Sequence, residues 1–347
     1  MRSTCCLLGK EILDFATPQQ EPPLKLQPLL SVFAALAALS SGLAHASDAW
    51  PTKPVRIIVG YPSGTSPDTV ARLIQPGLSK ALGQPVVIEN KPGAGGNIGV
   101  DLVVKSQDGH TIGFTTNGPL TSSKPLYAKL PFDPAKDVRP LSLAAVSPLV
   151  LAIDNNVPAT HLKEFMTWAK TQEQGVTYGS IGNGSGSHLT MELFAHRSGL
   201  RMVHVPYQGF PQVTSAIIAH DVQSGFMAPS GALTQSKAGK MRILGISSSR
   251  KSELLPEVPT IADAAGLPDF NAELWIAAFA PASMPEAVAQ RVAAEINAVL
   301  RQPEARAKLA EQGWEARGES PQVLLKRIAD DTRLWERVIQ QSNIRAE

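Results

Sequence analysis

Three stretches of this 347-residue chain gather glycine and hydroxyl side chains where a strand pattern gives way to a helix pattern. They are Pro62-Ser63-Gly64-Thr65-Ser66-Pro67-Asp68, Gly182-Asn183-Gly184-Ser185-Gly186-Ser187-His188 and Gly93-Ala94-Gly95-Gly96-Asn97. In the first, Thr65 or Ser66 can cap the helix that follows, and Pro67 suits its opening position. A helix start leaves backbone N–H groups without intrahelical acceptors and carries a partial positive charge. Glycine lets a ligand approach that backbone closely. The combination binds an anion without lysine or arginine. Any one of these loops is equally an ordinary strand-to-helix turn; three in one chain point to a ligand. A hydrogen bond to a charged group contributes about 1.5–3 kcal/mol. Carboxylates taking several such bonds reach the ~8 kcal/mol of micromolar binding after the cost of association.

Bond-breaking chemistry has less support. No serine stands in G-x-S-x-G, so a nucleophile elbow is lacking. The run Gly93–Gly99 misses the strict G-x-G-x-x-G spacing of a dinucleotide loop, and no P-loop occurs. Histidines 110, 161, 188, 196, 204 and 220 form no H-E-x-x-H, and the two cysteines, Cys5 and Cys6, lie near the front of the chain. A metal site, a cofactor and a disulfide framework are therefore not expected. His188, beside Ser185 and Ser187, is the histidine placed to meet a ligand; helping to cap its own helix is the alternative. Trp168, Trp314 and Trp335 read as packing positions on helices, whereas Trp275 and Tyr207 are the better pocket-wall candidates.

These loops need a frame of strands and helices, and the composition allows one. With 32 Lys+Arg against 30 Asp+Glu and 43% hydrophobic residues, the chain is globular and offers no footprint for nucleic acid. Leu29–Leu43 is an uncharged apolar run, shorter than the ~20 residues of a membrane-crossing helix. It ends on Ala44-His45-Ala46, the small-x-small pattern of a signal-peptidase site. Residues 1–46 are expected to be a leader cleaved after Ala46, leaving a soluble product outside the cytoplasmic membrane; a buried N-terminal helix is the alternative.

From Trp50 onward strand and helix patterns alternate, which predicts an α/β fold. Strands are expected at 55–59, 85–89, 111–116, 176–180, 202–205, 222–227 and 242–246, with longer extended stretches at 141–153, broken by Pro148, and 274–280. Helices are expected at 69–82, 97–106, 162–171, 188–197, 285–300, 303–312 and 321–342. The extended connections near 145–153 and 273–280 suggest two α/β lobes joined by two crossings. Lobe 1 would then comprise 47–149 plus 273–347, and lobe 2 would comprise 150–272.

The mature chain, nearly end to end, resembles the tripartite tricarboxylate transporter substrate-binding proteins, also called the Bordetella uptake gene (Bug) family. The ordered matches include Trp50–Val59, Leu82–Gly99, Thr116-Asn117-Gly118, Leu126–Pro134, Gly182–His188, Val203–Gly209, Lys237–Lys240 and Val258-Pro259-Thr260. The resemblance implies a two-lobed periplasmic binding protein, type II-like, each lobe a sheet flanked by helices, closing on a small carboxylate in the cleft. It implies delivery to a large and a small membrane subunit, and a monomer is expected. In the family the loops corresponding to Tyr61–Asp68 and to Ser185–His188 hold the ligand. The residues implied here are Tyr61, Ser63, Gly64, Thr65, Ser66, Asp68, Asn117, Gly184, Ser185, Ser187, His188, Tyr207, Gln208 and Met227.

The chain departs from the family pattern at Ser63 and Thr65, which replace a proline and a glycine of the first loop. Gln208 stands where a basic residue is common, and Met227 where an aspartate is frequent. Losing a base and an acid suggests a less charged pocket, hence an aromatic mono- or dicarboxylate such as terephthalate rather than a citrate-like ligand. A periplasmic ligand sensor for a receptor kinase is the competing function, and an α/β enzyme the third.

Overall fold

A computed structural model describes residues 50–345; the expected leader lies outside them. Val55–Val59 (β1), buried apart from Arg56, leads to Ser66–Leu82 (α1), whose Val70, Ala71, Ile74, Leu78 and Leu82 form one buried stripe. Pro67 sits in the first turn of α1, and Gly83 ends the helix at φ 69° with its N–H on the Ser79 carbonyl. Val86–Asn90 (β2), Asn97–Val104 (α2) and Thr111–Thr116 (β3) follow. Three one-turn helices, Asn117–Leu120 (α3), Ser123–Leu126 (α4) and Pro134–Asp137 (α5), lead to the long strand Val138–Ser147 (β4).

Beyond Pro148 a second series begins with Val150–Ile153 (β5), Leu162–Ala169 (α6), Val176–Ser180 (β6) and Gly186–Ser198 (α7). Met202–Pro206 (β7), Phe210–Ile218 (α8), Ser224–Met227 (β8), Pro229–Lys237 (α9), Arg242–Ile246 (β9) and Ile261–Ala265 (α10) continue it. The chain closes with Leu274–Pro281 (β10), Glu286–Leu300 (α11), Pro303–Glu311 (α12), Glu315–Glu319 (β11) and Pro321–Gln341 (α13).

The strands form two mixed sheets, ordered β11-β4-β10-β3-β1-β2 and β7-β6-β8-β5-β9. The chain passes from the first to the second through Pro148 and returns along 247–273. Each sheet is covered on both faces, as the period-2 side-chain alternation requires. In β1, Val55, Ile57 and Val59 join the core under α1 and α11, while Ile58 joins the opposite core with Val100 and Trp275. In β5, Leu151 and Ile153 pack towards α6 and α7, and Val150 and Ala152 towards α8. The expected α/β architecture of two helix-flanked sheets is therefore the observed one.

Several elements depart from the sequence reading. The one-turn helices, α8, α9 and α10, and β11 were not predicted. β11 (EARGE) is a charged edge strand with a register shift against β4, so it lacks the apolar alternation that marks a strand. Trp275, expected in a pocket wall, is fully buried and donates its indole N–H to Asp331 at 2.7 Å. Arg327 pairs with that carboxylate at 3.0 Å and with Glu273 at 3.1 Å, fixing the start of α13 to the first sheet. The far half of α13 does something else. Trp335, Val338 and Ile339 pack in the core of the second sheet. At 1.5 Å per residue its 21 residues span about 30 Å. The helix thus packs against both sheets. No described helix is long and apolar enough to cross a membrane.

Candidate functional site

The loop before α1 is shaped by one buried carboxylate. Asp68 accepts from the Gly64 amide at 2.8 Å, the Ser63 hydroxyl at 3.3 Å, Arg72 at 2.9 Å and the Asn90 amide at 2.8 Å. Burial opposes its ionisation, yet the bonds from Arg72, Gly64 and Asn90 hold its pKa below the ordinary aspartate value. Asp68 therefore clamps the loop from behind. Thr65 is the N-cap residue by backbone geometry, but its hydroxyl donates back to the Pro62 carbonyl at 2.7 Å and does not cap. Tyr61 bonds the Gly95 carbonyl at 2.8 Å and Thr116 Oγ1 at 2.6 Å. Burial raises its pKa, so the phenol is neutral. A side chain on Gly96 would begin 2.5 Å from that phenol oxygen, which explains the glycine of the third loop.

The loop before α7 is held by neutral groups. Ser185 caps α7, its hydroxyl accepting from the His188 amide at 3.3 Å. Ser187 turns inward and accepts from the Ile181 amide at 3.1 Å. His188 Nδ1 accepts from the Gly184 amide at 2.9 Å, so the proton of the neutral ring lies on Nε2. The ring stacks on His204 with centroids 3.8 Å apart and planes 10° from parallel. Burial, and then the neighbouring His204, lower the His188 pKa to about 4. Burial likewise lowers that of His204, whose Nε2 lies 2.6 Å from the Ser180 hydroxyl.

Both loops line one cavity of about 440 Å³, within the range of small-molecule sites. Thr65, Ser66 and Pro67 reach it from the start of α1, and Gly184, Ser185 and Gly186 from the start of α7. Tyr61, Gly95, Thr116, Asn117, Tyr127 and Asn183 add polar groups, while Leu126, Leu189, Phe210, Leu274, Trp314 and Trp335 form an apolar wall. Among the described residues, no Asp, Glu, Lys, Arg or His lines it. Nor do three His, Cys, Asp or Glu side chains converge anywhere among them to hold a metal ion.

Of the fourteen residues expected at the site, the cavity wall includes Tyr61, Thr65, Ser66, Asn117, Gly184 and Ser185. Asp68, Ser187 and His188 are buried behind it and set the loops, and the exposed Ser63 and Gly64 bond Asp68. Three lie elsewhere. Met227 is 1% exposed in the core with Val150 and Val213. Tyr207 packs against that core, and Gln208 is exposed, its amide on Gln212 at 2.9 Å. The losses of charge at Gln208 and Met227 are therefore not what makes the cavity neutral. Its apolar character comes from Leu126, Leu189, Phe210 and Leu274 together with Trp314 and Trp335, the two tryptophans having read as helix packing in the sequence. Trp314 follows α12 in a loop, and Trp335 lies on the helix shared by both lobes.

The sequence profile described as "Tripartite tricarboxylate transporter family receptor" matches residues 70–344. The Bordetella pertussis protein BugT is 30% identical over 320 residues, 92% of this chain and 97% of that protein. Among solved structures, an R. palustris protein with adipate is 30% identical, with TM-score 0.72 over 85% of this chain and 99% of its own. MatC from Rhodopseudomonas palustris with bound malate is 29% identical, with TM-score 0.69 over 84% of this chain and 100% of its own. With the profile spanning most of its length and both helix starts on one cavity, the chain belongs to the tripartite tricarboxylate transporter receptor family.

Proposed function

We propose that this protein is a periplasmic solute-binding protein that captures a small carboxylate and delivers it to the large and small membrane subunits of a tripartite transporter. The observation carrying this reading is that the starts of α1 and α7 line one cavity with no charged side chain in its wall among the described residues. First-turn amides without intrahelical acceptors and the positive ends of two helices suit a carboxylate. The adipate and malate bound by relatives are small carboxylates as well. The aromatic and leucine wall favours a ligand with an apolar, aromatic body, whether mono- or dicarboxylate, over a citrate-like one. Among the described residues, 50–149 with 273–345 form one lobe and 150–272 the other, with α13 bracing both. Closure bends the connections at Pro148 and 247–273.

A thermal-shift panel of aliphatic and aromatic carboxylates tests the reading. A ligand at one hundred times its Kd stabilises the protein by about 2.7 kcal/mol. Strong stabilisation by citrate with none by benzoate-type acids reverses the choice of ligand body. A panel with no active carboxylate, or turnover of a bound acid, ends the binding-protein reading. Export is tested separately: N-terminal sequencing of protein from the periplasmic fraction is expected to begin at Ser47.

A further inference from the structure

We propose that the stacked pair His188–His204 positions the second binding loop and makes ligand capture proton-linked: a proton taken up on His188 frees Gly184 and lowers the affinity for the bound anion. This rests on the carboxylate-binding reading and adds its regulation. The turn from Gly182 to Gly184 is tied at both ends to the rings behind it. Gly184, in the cavity wall, donates its amide N–H to His188 Nδ1 at 2.9 Å. Gly182 donates its amide N–H to Ser180 Oγ at 3.1 Å, and that hydroxyl lies 2.6 Å from His204 Nε2. The two rings stack 3.8 Å apart.

The two ties respond differently to a proton. A protonated His204 donates to Ser180 Oγ, whose own proton turns to the Gly182 carbonyl at 3.1 Å, so that tie survives. A protonated His188 carries hydrogen on both ring nitrogens, and Nδ1 then meets the Gly184 N–H donor to donor. That tie is lost and the turn shifts away from the ring. The groups facing the pair set the pH at which this happens. Glu192 of α7 lies 4.0 Å from His188 Nε2 and favours the charged ring, while it accepts from the Tyr178 hydroxyl of β6 at 2.6 Å. Burial and a charge on His204 of β7 oppose it. The strand β8 (SGFM) holds no titratable residue, and α13 turns Trp335, Val338 and Ile339 to the core that α7 shares. The new charge sits behind the loop beside Glu192, so its pull on an anion in the cavity is compensated. The ordered loop excludes a proton that the released loop accepts. Affinity is therefore full near neutrality and falls as pH drops through the range where His188 titrates, about 4.

Amide hydrogen exchange of the unliganded protein between about pH 7 and about pH 4, corrected for intrinsic rates, tests the release of the loop. Protection of the Gly184 amide is expected to fall at least fivefold, while that of Phe194 further along α7 is kept. H188N, which keeps an acceptor but does not titrate, is expected to abolish the fall. H204Q removes the opposing ring and moves the fall to higher pH; E192Q removes the counter-charge, keeps an acceptor for Tyr178, and moves it to lower pH. A merely structural role leaves the midpoint where it is. Level Gly184 protection in the wild type, or one midpoint shared by H204Q and E192Q, overturns the inference. Calorimetry with adipate and with benzoate at about pH 6 and about pH 4 tests the link to binding. Wild-type affinity is expected to fall about twofold more than that of H188N, whose loss reports the carboxyl group of the acid itself. An equal or smaller fall in the wild type overturns the link. Failure of both acids to bind at the higher pH counts against the proposed function, and the exchange measurement then decides the loop release by itself.

Discussion

The two loops that face each other across the cavity present their backbones in the same way but are held by opposite means. The α1 loop is gathered around an ionised carboxylate, Asp68, which collects two backbone or side-chain amides, a hydroxyl and a guanidinium. The α7 loop is gathered around a neutral imidazole, His188, which accepts from one amide and stacks on a second neutral imidazole. An anion-binding loop needs immobile N–H groups, and either a charge or a neutral acceptor can supply the anchor. The charged anchor sits behind the loop with a cation beside it, so its field is compensated. The neutral anchor needs no cation, and among the described residues the wall carries no charged side chain on either side.

The largest effect is expected from removing the charged anchor. Asp68→Ala leaves the Gly64 and Asn90 amides unpaired beside a buried gap. It should cost about 2–4 kcal/mol in urea unfolding, discounted for the half-exposed Arg72, and weaken carboxylate binding more than tenfold. Wild-type stability in this variant would remove the distinction between the two loops.

The pH dependence separates the anchors. His188 has its pKa lowered to about 4, so the unfolded chain binds more protons than the folded one between about 6.5 and that value. Its neutral form is stabilising above pH 6.5, and that contribution, up to about 3 kcal/mol, is progressively lost as pH falls through this window. Asp68 acts lower: its depressed pKa contributes above the ordinary carboxylate range and is lost as pH falls through the folded value. His188→Asn, which keeps an acceptor for Gly184, should lower neutral-pH stability by about 1 kcal/mol and flatten the slope between pH 6.5 and 4. An unaltered slope would place the titrating group elsewhere.

Gly184→Ala probes the loop backbone directly. Gly184 has φ +71°, and a Cβ there would lie 3.0 Å from Leu126. A cost of about 1–2 kcal/mol is expected, with a several-fold loss of ligand affinity by calorimetry. Thr65→Ala should do least. It removes the bond to the Pro62 carbonyl from an exposed hydroxyl, about 0.5–1 kcal/mol of stability, and weakens binding by up to tenfold if that hydroxyl also meets the ligand. Binding unchanged in Thr65→Ala and lost in Asp68→Ala would leave the backbone alone as the recognising group on this side.

Much of the frame was legible because local rules and tertiary packing agree. β1, β3, β6 and β9 fall on the residues their apolar patterns marked, and α1 ends at the glycine expected to end it. Elements outside those rules were not legible. The one-turn helices have too few residues to show a period, and β11 is paired by the backbone of its neighbour with little help from apolar side chains. Within the site, the glycine loops were readable from composition, whereas the roles of individual side chains in them were not. Thr65, Ser187 and His188 each have hydrogen-bonding groups that serve a loop or a ligand equally well, and only their partners in space decide which. The two indoles expected and found differ for the same reason: Trp275 turns to Asp331 in the core, and Trp335, about four turns along a helix that begins against the first sheet, reaches the cavity wall.

The amino-acid sequence alone marked the helix starts rich in glycine and serine as the candidates for meeting an anion, because capping chemistry and backbone polarity are local. That these loops meet at one cavity, and that two tryptophans share its apolar wall, was decided by how the sheets and α13 pack. Contacts between residues hundreds of positions apart carry no signature in either segment by itself.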